Sequence, residues 1–148
     1  MSQRLNYQKV IPDAMKAFGG VRQYVAKSGL PAELIDLVYL RVSQINGCAY
    51  CIDLHTRDLL NGGMTIEKIT LVPVYWEAES FFSARERAAL AWAESLTLVS
   101  HTRAADADYE AVAAHFNEKQ LGDLTVAISL MNAYNRIAIG FRRGPEPR

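Results

Sequence analysis

Both cysteines of this 148-residue chain and one of its three histidines lie in a single short run, Cys48-Ala49-Tyr50-Cys51-Ile52-Asp53-Leu54-His55. Two thiols separated by two residues suit dithiol redox chemistry, in which one sulfur attacks an oxidant and the other closes a disulfide on it. On a helix at about 100° per residue, Cys48, Cys51 and His55 stand at roughly 0°, 300° and 340°, inside a ~60° sector of one face. Thiol, partner thiol and base then project together. The reaction this supports is peroxide reduction: a thiolate attacks one peroxide oxygen, becomes a sulfenic acid, and condenses with the neighbouring thiol.

The attacking sulfur must be ionised near neutral pH, and an imidazole one helical turn away can take its proton. His55 follows Cys51 by four residues, which favours Cys51 as the attacking thiol and Cys48 as the resolving one. In other dithiol enzymes the earlier cysteine, nearer the helix end, is the activated one, so these residues alone leave the order open. A histidine in this role needs an orienting partner on its second nitrogen, and Asp36 is the candidate. Counted from a turn between Asn46 and Gly47, Asp36 is ten residues back and His55 nine forward. In an antiparallel helix pair, at roughly 1.5 Å per residue, the two are offset by ~3 Å or less along the axis. A solvated surface charge is the competing reading of Asp36.

The elements that must position these groups are helical. There is no sustained apolar/polar alternation, and Asn46-Gly47 and Asn61-Gly62-Gly63 each follow an apolar pattern of helical period, so they are expected as left-handed helix stops. They punctuate a helical hairpin. Its first arm starts near Pro31 and carries Leu34, Val38, Val42 and Ile45 inward; its second runs from about Cys48 to Leu60. The C-x-x-C then occupies a first helical turn, where free amides and the helix dipole lower a thiol pKa.

Further along, Ser83-Ala-Arg-Glu86 reads as a capping box opening a helix with Ala89, Trp92, Leu96 and Val99 on one stripe. A shorter helix is expected over Ala105–Phe116 and the longest over Glu118–Ile139, apolar on more than one face and expected to be buried in an oligomer. Asn135 and Arg136 inside it need partners, expected as a polar network across subunits. Gly19-Gly20 is expected to split the N-terminal stretch from Pro12 to Lys27 into two short helices, and Gly144–Arg148 to fray. The fold class is all-α, one domain over 1–148 with its core at about 10–142.

Composition excludes other classes. Apolar residues make up 50% of the chain and charged ones 22%, with 16 Lys+Arg against 16 Asp+Glu. Such a neutral chain has no basic cluster for a nucleic acid, and no leader or membrane anchor is readable at the N-terminus, so a cytoplasmic protein is expected. No glycine-rich phosphate loop or Ser-His-Asp pattern is present. Zinc is the chemical competitor, held by Cys48, Cys51, His55 and either His101 or His115, but ligands on one helical face without a second C-x-x-C argue against it. Neither metal nor organic cofactor is required. Tyr75, Trp76, Phe81, Phe82 and Trp92 are expected in the core or an interface, with an apolar pocket for an organic peroxide as the sharper alternative.

Val42-Ser-Gln-Ile-Asn-Gly-Cys48-Ala-Tyr-Cys51-Ile-Asp-Leu-His55 resembles the core motif of the alkylhydroperoxidase D-like group in the carboxymuconolactone decarboxylase superfamily. The likeness extends to Arg85–Glu94 and to Asn132-Ala-Tyr-Asn-Arg136-Ile-Ala-Ile. It implies an all-helical homo-oligomer, trimeric or hexameric, with thiol peroxidase activity. It also implies a relay in which Cys51 is peroxidatic, Cys48 resolves and His55 moves the proton. The reductant implied is a thiol or lipoyl-bearing protein. Two positions depart from the group: its relay glutamate is Asp36 here, and the histidine between the cysteines is Tyr50. Non-redox lactone decarboxylation and a redox-switched binding module are the alternative functions.

Overall fold

In the computed structural model, which describes residues 2–147, every regular element is helical and no strand occurs among those residues. Helix α1 (Tyr7–Val10) is capped by Asn6 and leads into α2 (Pro12–Ala26), which opens on a proline at the one end of a helix where the missing N–H costs nothing. The hairpin follows as α3 (Ala32–Asn46) and α4 (Ala49–Asn61), then α5 (Ile66–Leu71) and a 3-10 turn (Val72–Glu77). The chain continues through α6 (Ala84–Thr97), α7 (Val99–Thr102) and α8 (Asp106–Ala113) to the long α9 (Glu118–Gly140).

Local chemistry sets the hairpin. Gly47 sits at φ 72°, and Cys48 N–H bonds back to the Ser43 carbonyl at 3.0 Å while Gly47 N–H reaches Gln44. This left-handed stop satisfies the last carbonyls of α3 and reverses the chain within two residues, so α4 starts at once and runs back along α3. Gly63 (φ 92°) ends the region after α4 in the same way, with Met64 N–H on the Leu59 carbonyl. The Ser83–Glu86 capping box is formed, and Asn117–Gln120 makes a second one at the start of α9.

Helix α3 is central because both of its faces are apolar. Val38 and Val42 join Leu124, Ile128 and Ala93 in the main core, while Leu37 and Leu40 join Leu59, Val72, Phe82 and Leu90 in a second cluster under the 3-10 turn. Each such fully buried aliphatic contributes about 1.5–3 kcal/mol of hydrophobic stabilisation. Helix α9 packs on α2, α3, α6 and α8, so much of the burial expected of an oligomer is supplied within the chain, by Leu121, Leu124, Ile128 and Met131, while Val126 and Ile139 stay exposed.

Other expectations are also corrected. Gly19-Gly20 does not break the N-terminal stretch: α2 runs unbroken, because packing on α9, including Phe18 against Tyr134 at 5.6 Å, outweighs the helix cost of two glycines. Helix α8 stops at Ala113, leaving His115 beyond it and exposed. Phe82, Tyr75 and Trp92 are buried, as expected of core residues, whereas Trp76 and Phe81 are exposed. Residues 144–147 carry no regular structure; Arg148 is outside the described residues. Among those residues no helix is long and apolar enough to cross a membrane.

Candidate active site

Cys48 is the N-cap residue of α4 and Cys51 stands in its first turn, so the helix start brings the two free thiols to 2.7 Å between sulfurs. Both are buried, and the environment treats them unequally. The Cys48 thiol is pulled from 9.0 down to about 7, first because the Cys51 S–H donates to its thiolate. Burial opposes this; the first-turn amide of Cys51, the Asn135 side chain and the amide of Tyr50 add to it. Cys51 is pushed up, because its proton is the one held in that bond, because it is buried, and because a thiolate on Cys48 opposes a second charge. The pair therefore loses one proton easily and the second with difficulty.

Asn135 was not foreseen at the site. Fully buried on α9, it donates to Ser43 Oγ at 3.1 Å and Met131 Sδ at 3.4 Å, accepts from Asn46 Nδ2 at 3.0 Å, and favours ionisation of both thiols. Arg136 donates to the Asn132 carbonyl and side chain. This network closes within the chain, where a network across subunits was expected. The only sequence signal for it was a pair of asparagines in an apolar helix.

His55, 2% exposed, lies one turn beyond Cys51 on α4, and its Nδ1 is 3.2 Å from Asp36 Oδ1 across the hairpin. The expected contact is direct. A second carboxylate, Asp58, stands 3.6 Å from the same nitrogen. Donation from Nδ1 to Asp36 leaves Nε2 as the free acceptor. The Tyr39 ring packs on the imidazole with centroids 5.0 Å apart.

A cavity of about 220 Å³ opens beside these groups, and Cys51 and His55 line it while Cys48 does not. Its wall is largely apolar, with Met15, Leu54, Met131 and Ala138, and Tyr50 closes one side under the Arg143 guanidinium, 3.9 Å from the ring centroid. None of the exposed or core aromatics from Tyr75 to Trp92 reaches it. The zinc arrangement is not assembled: His101 and His115 are exposed, and the one cluster of three metal-ligating side chains among the described residues is Asp36, His55 and Asp58, without either cysteine.

A helical hairpin that sets two thiols, a histidine and a carboxylate side by side, with Cys51 and His55 facing one cavity, defines an AhpD-like dithiol fold, and comparison with known proteins gives the family. Residues 12–95 match the model of the carboxymuconolactone decarboxylase family, and the chain belongs to that family. It is 38% identical to the uncharacterized protein YdfG of Bacillus subtilis over 94% of each chain. A solved Agrobacterium tumefaciens protein of unknown function, described as a candidate antioxidant defence protein AhpD, superposes with a TM-score of 0.93. The two are 39% identical, over 99% of this chain and 100% of that one. An uncharacterized peroxidase-related protein from Ralstonia eutropha with an alkylhydroperoxidase AhpD core shares the fold at a TM-score of 0.81, with 23% identity over 94% of this chain and 74% of its own.

Proposed function

We propose that this protein is a thiol-dependent peroxidase that reduces organic hydroperoxides through a Cys48–Cys51 dithiol/disulfide cycle. The observation that carries the reading is the pair of sulfurs 2.7 Å apart, of which only Cys51 lines the cavity that His55 also lines. In the resting pair the charge favours Cys48 and the proton stays on Cys51. Movement of that proton to Cys48 or to His55 puts the thiolate where a substrate can meet it. Cys51 then attacks the peroxide, and the resulting sulfenic acid is already within reach of the Cys48 sulfur, which displaces water and closes the disulfide. Asp36 holds the His55 tautomer through this exchange. The mainly apolar cavity favours a peroxide with an organic group over hydrogen peroxide.

The disulfide must be reduced from outside, and a thiol or lipoyl-bearing protein is the reductant that goes with this reading; a homo-oligomer is the assembly. The test is the intact mass of the reduced, metal-stripped protein after one equivalent of cumene hydroperoxide. Wild type should lose two hydrogens, Cys48→Ser should gain one oxygen, and Cys51→Ser should do neither. An oxygen on Cys51→Ser alone would reverse the cysteine roles, and no rapid oxidation in any form would end the peroxidase reading in favour of the non-redox chemistry of the family.

A further inference from the structure

Tyr39 is on α3, one turn beyond Asp36, and is 4% exposed, with its ring against His55 and its side chain in the wall of the cavity. Its hydroxyl makes no hydrogen bond among the described residues, although the oxygen is closed off from solvent. Two other tyrosines of the chain spend theirs within the fold: Tyr7 accepts from Arg143 and Tyr24 donates to Asp123. A buried hydroxyl without a partner is a liability that phenylalanine would remove while keeping the same ring on the imidazole. Burial also holds this phenol at about 12, so it remains an O–H donor at any working pH. The rest of the wall combines apolar Met15, Leu54, Met131 and Ala138 with the polar side chains of Gln8, Arg22 and Arg143, and Tyr39 is the donor among them whose ring lies on His55.

We propose that the Tyr39 hydroxyl contacts substrate: it donates a hydrogen bond to the leaving oxygen of the hydroperoxide as Cys51 breaks the O–O bond. The proposal rests on the peroxidase reading above and adds a catalytic residue to it. The Cys51 thiolate forms an S–O bond to the terminal oxygen, and the O–O electron pair leaves on the alkoxide. Sulfur is oxidised by two electrons to the sulfenic acid and the hydroperoxide is reduced. The alkoxide takes up the proton that left Cys51, returned from Cys48 or His55, and departs as the alcohol. Tyr39 keeps its own proton and spreads the developing charge, as a fixed donor does in an oxyanion site.

The test compares wild type with Tyr39→Phe in single-turnover oxidation by cumene hydroperoxide and in thiol–disulfide exchange with dithionitrobenzoate, whose leaving group is a sulfur. Tyr39→Phe should slow the peroxide reaction about 10–100-fold, the worth of one hydrogen bond to a charged oxygen, and leave the exchange rate and its pH profile unchanged. Equal slowing with both reagents, or none with the peroxide, would overturn the proposal. Binding of cumyl alcohol, the product, to both reduced forms separates this failure from that of the peroxidase reading. Tighter binding by wild type with no turnover would sink the peroxidase and keep the Tyr39 contact; equal binding would sink the contact whatever the turnover. If Tyr39→Phe does not fold, a shift of the Tyr39 ring resonance on adding the alcohol to isotope-labelled wild type supports the contact, and its absence rejects it.

Discussion

At the scale of single residues, what distinguishes this site is how one proton is divided between two sulfurs. Cys51 faces the cavity but holds the proton, and Cys48, turned away from it, is the thiol drawn down to about 7. The reduced protein should therefore show one thiolate titrating near 7 by ultraviolet absorbance. Below that midpoint the pair is fully protonated, so oxidation should fall about tenfold for each pH unit. Cys51→Ala removes the donor that is the largest cause, and the remaining Cys48 thiol should titrate higher. A midpoint near the ordinary 9.0, or one that Cys51→Ala does not move, would refute this account of the pair. Asp36 in place of the longer glutamate of the family still reaches His55 directly, because the hairpin sets the two helices close enough for the shorter side chain.

At the scale of elements, the hairpin depends on a reversal that only a residue without a side chain makes cheaply. Gly47 is left-handed, and a Cβ there meets nothing within 4 Å, so Gly47→Ala is penalised by backbone strain alone. We expect it to cost about 1 kcal/mol, a fall of roughly 2–4 °C in melting temperature. Gly19→Ala and Gly20→Ala should do the opposite. Both positions are inside α2, a Cβ is likewise unopposed, and each should add about 0.5–1 kcal/mol by replacing the poorest helix residue. Thermal melts of the three variants check both signs, and a stabilised Gly47→Ala would show that the turn does not hold its left-handed geometry in solution.

At the scale of the whole molecule, the two ends of the chain meet at the cavity. Arg4 bonds the carbonyls of Phe141 and Gly140, and Arg143 donates to the Tyr7 hydroxyl at 3.0 Å while its guanidinium covers the Tyr50 ring. Tyr7, Tyr50 and Arg143 all line the cavity and also a wider polar groove outside it, so these contacts form the partition between the two. Arg143→Ala should loosen that partition. With a stacked cation and a hydrogen bond lost, together worth about 1–2 kcal/mol, amide exchange in α1 should speed up roughly 5–30-fold while α3 and α4 stay protected. Unchanged exchange in α1 would mean that the termini are held by packing and not by Arg143.

The chemistry of the hairpin was written in local spacing. The C-x-x-C-x-x-x-H run, the Pro31 start, the Gly47 stop and even the Asp36–His55 pairing follow from residues close in sequence, where helical geometry converts separation directly into position. The starts of α6 and α9 were equally local, since a capping residue acts on amides only two or three positions away, whereas the stripe read on to Val99 is cut at Thr97. What tertiary structure decided lies at long separation. Nothing near Asn135 announces that Ser43 and Asn46, some 90 positions earlier, will satisfy it beside the thiols. Nothing near Gly19 says that α9 will hold α2 together. Tyr39 was not singled out in the sequence, and only the assembled walls of the cavity leave its hydroxyl buried and, among the described residues, unpaired. Spacing along a helix determines which side chains share a face; which faces meet, and which polar atoms are left without partners between them, is settled by packing the whole chain.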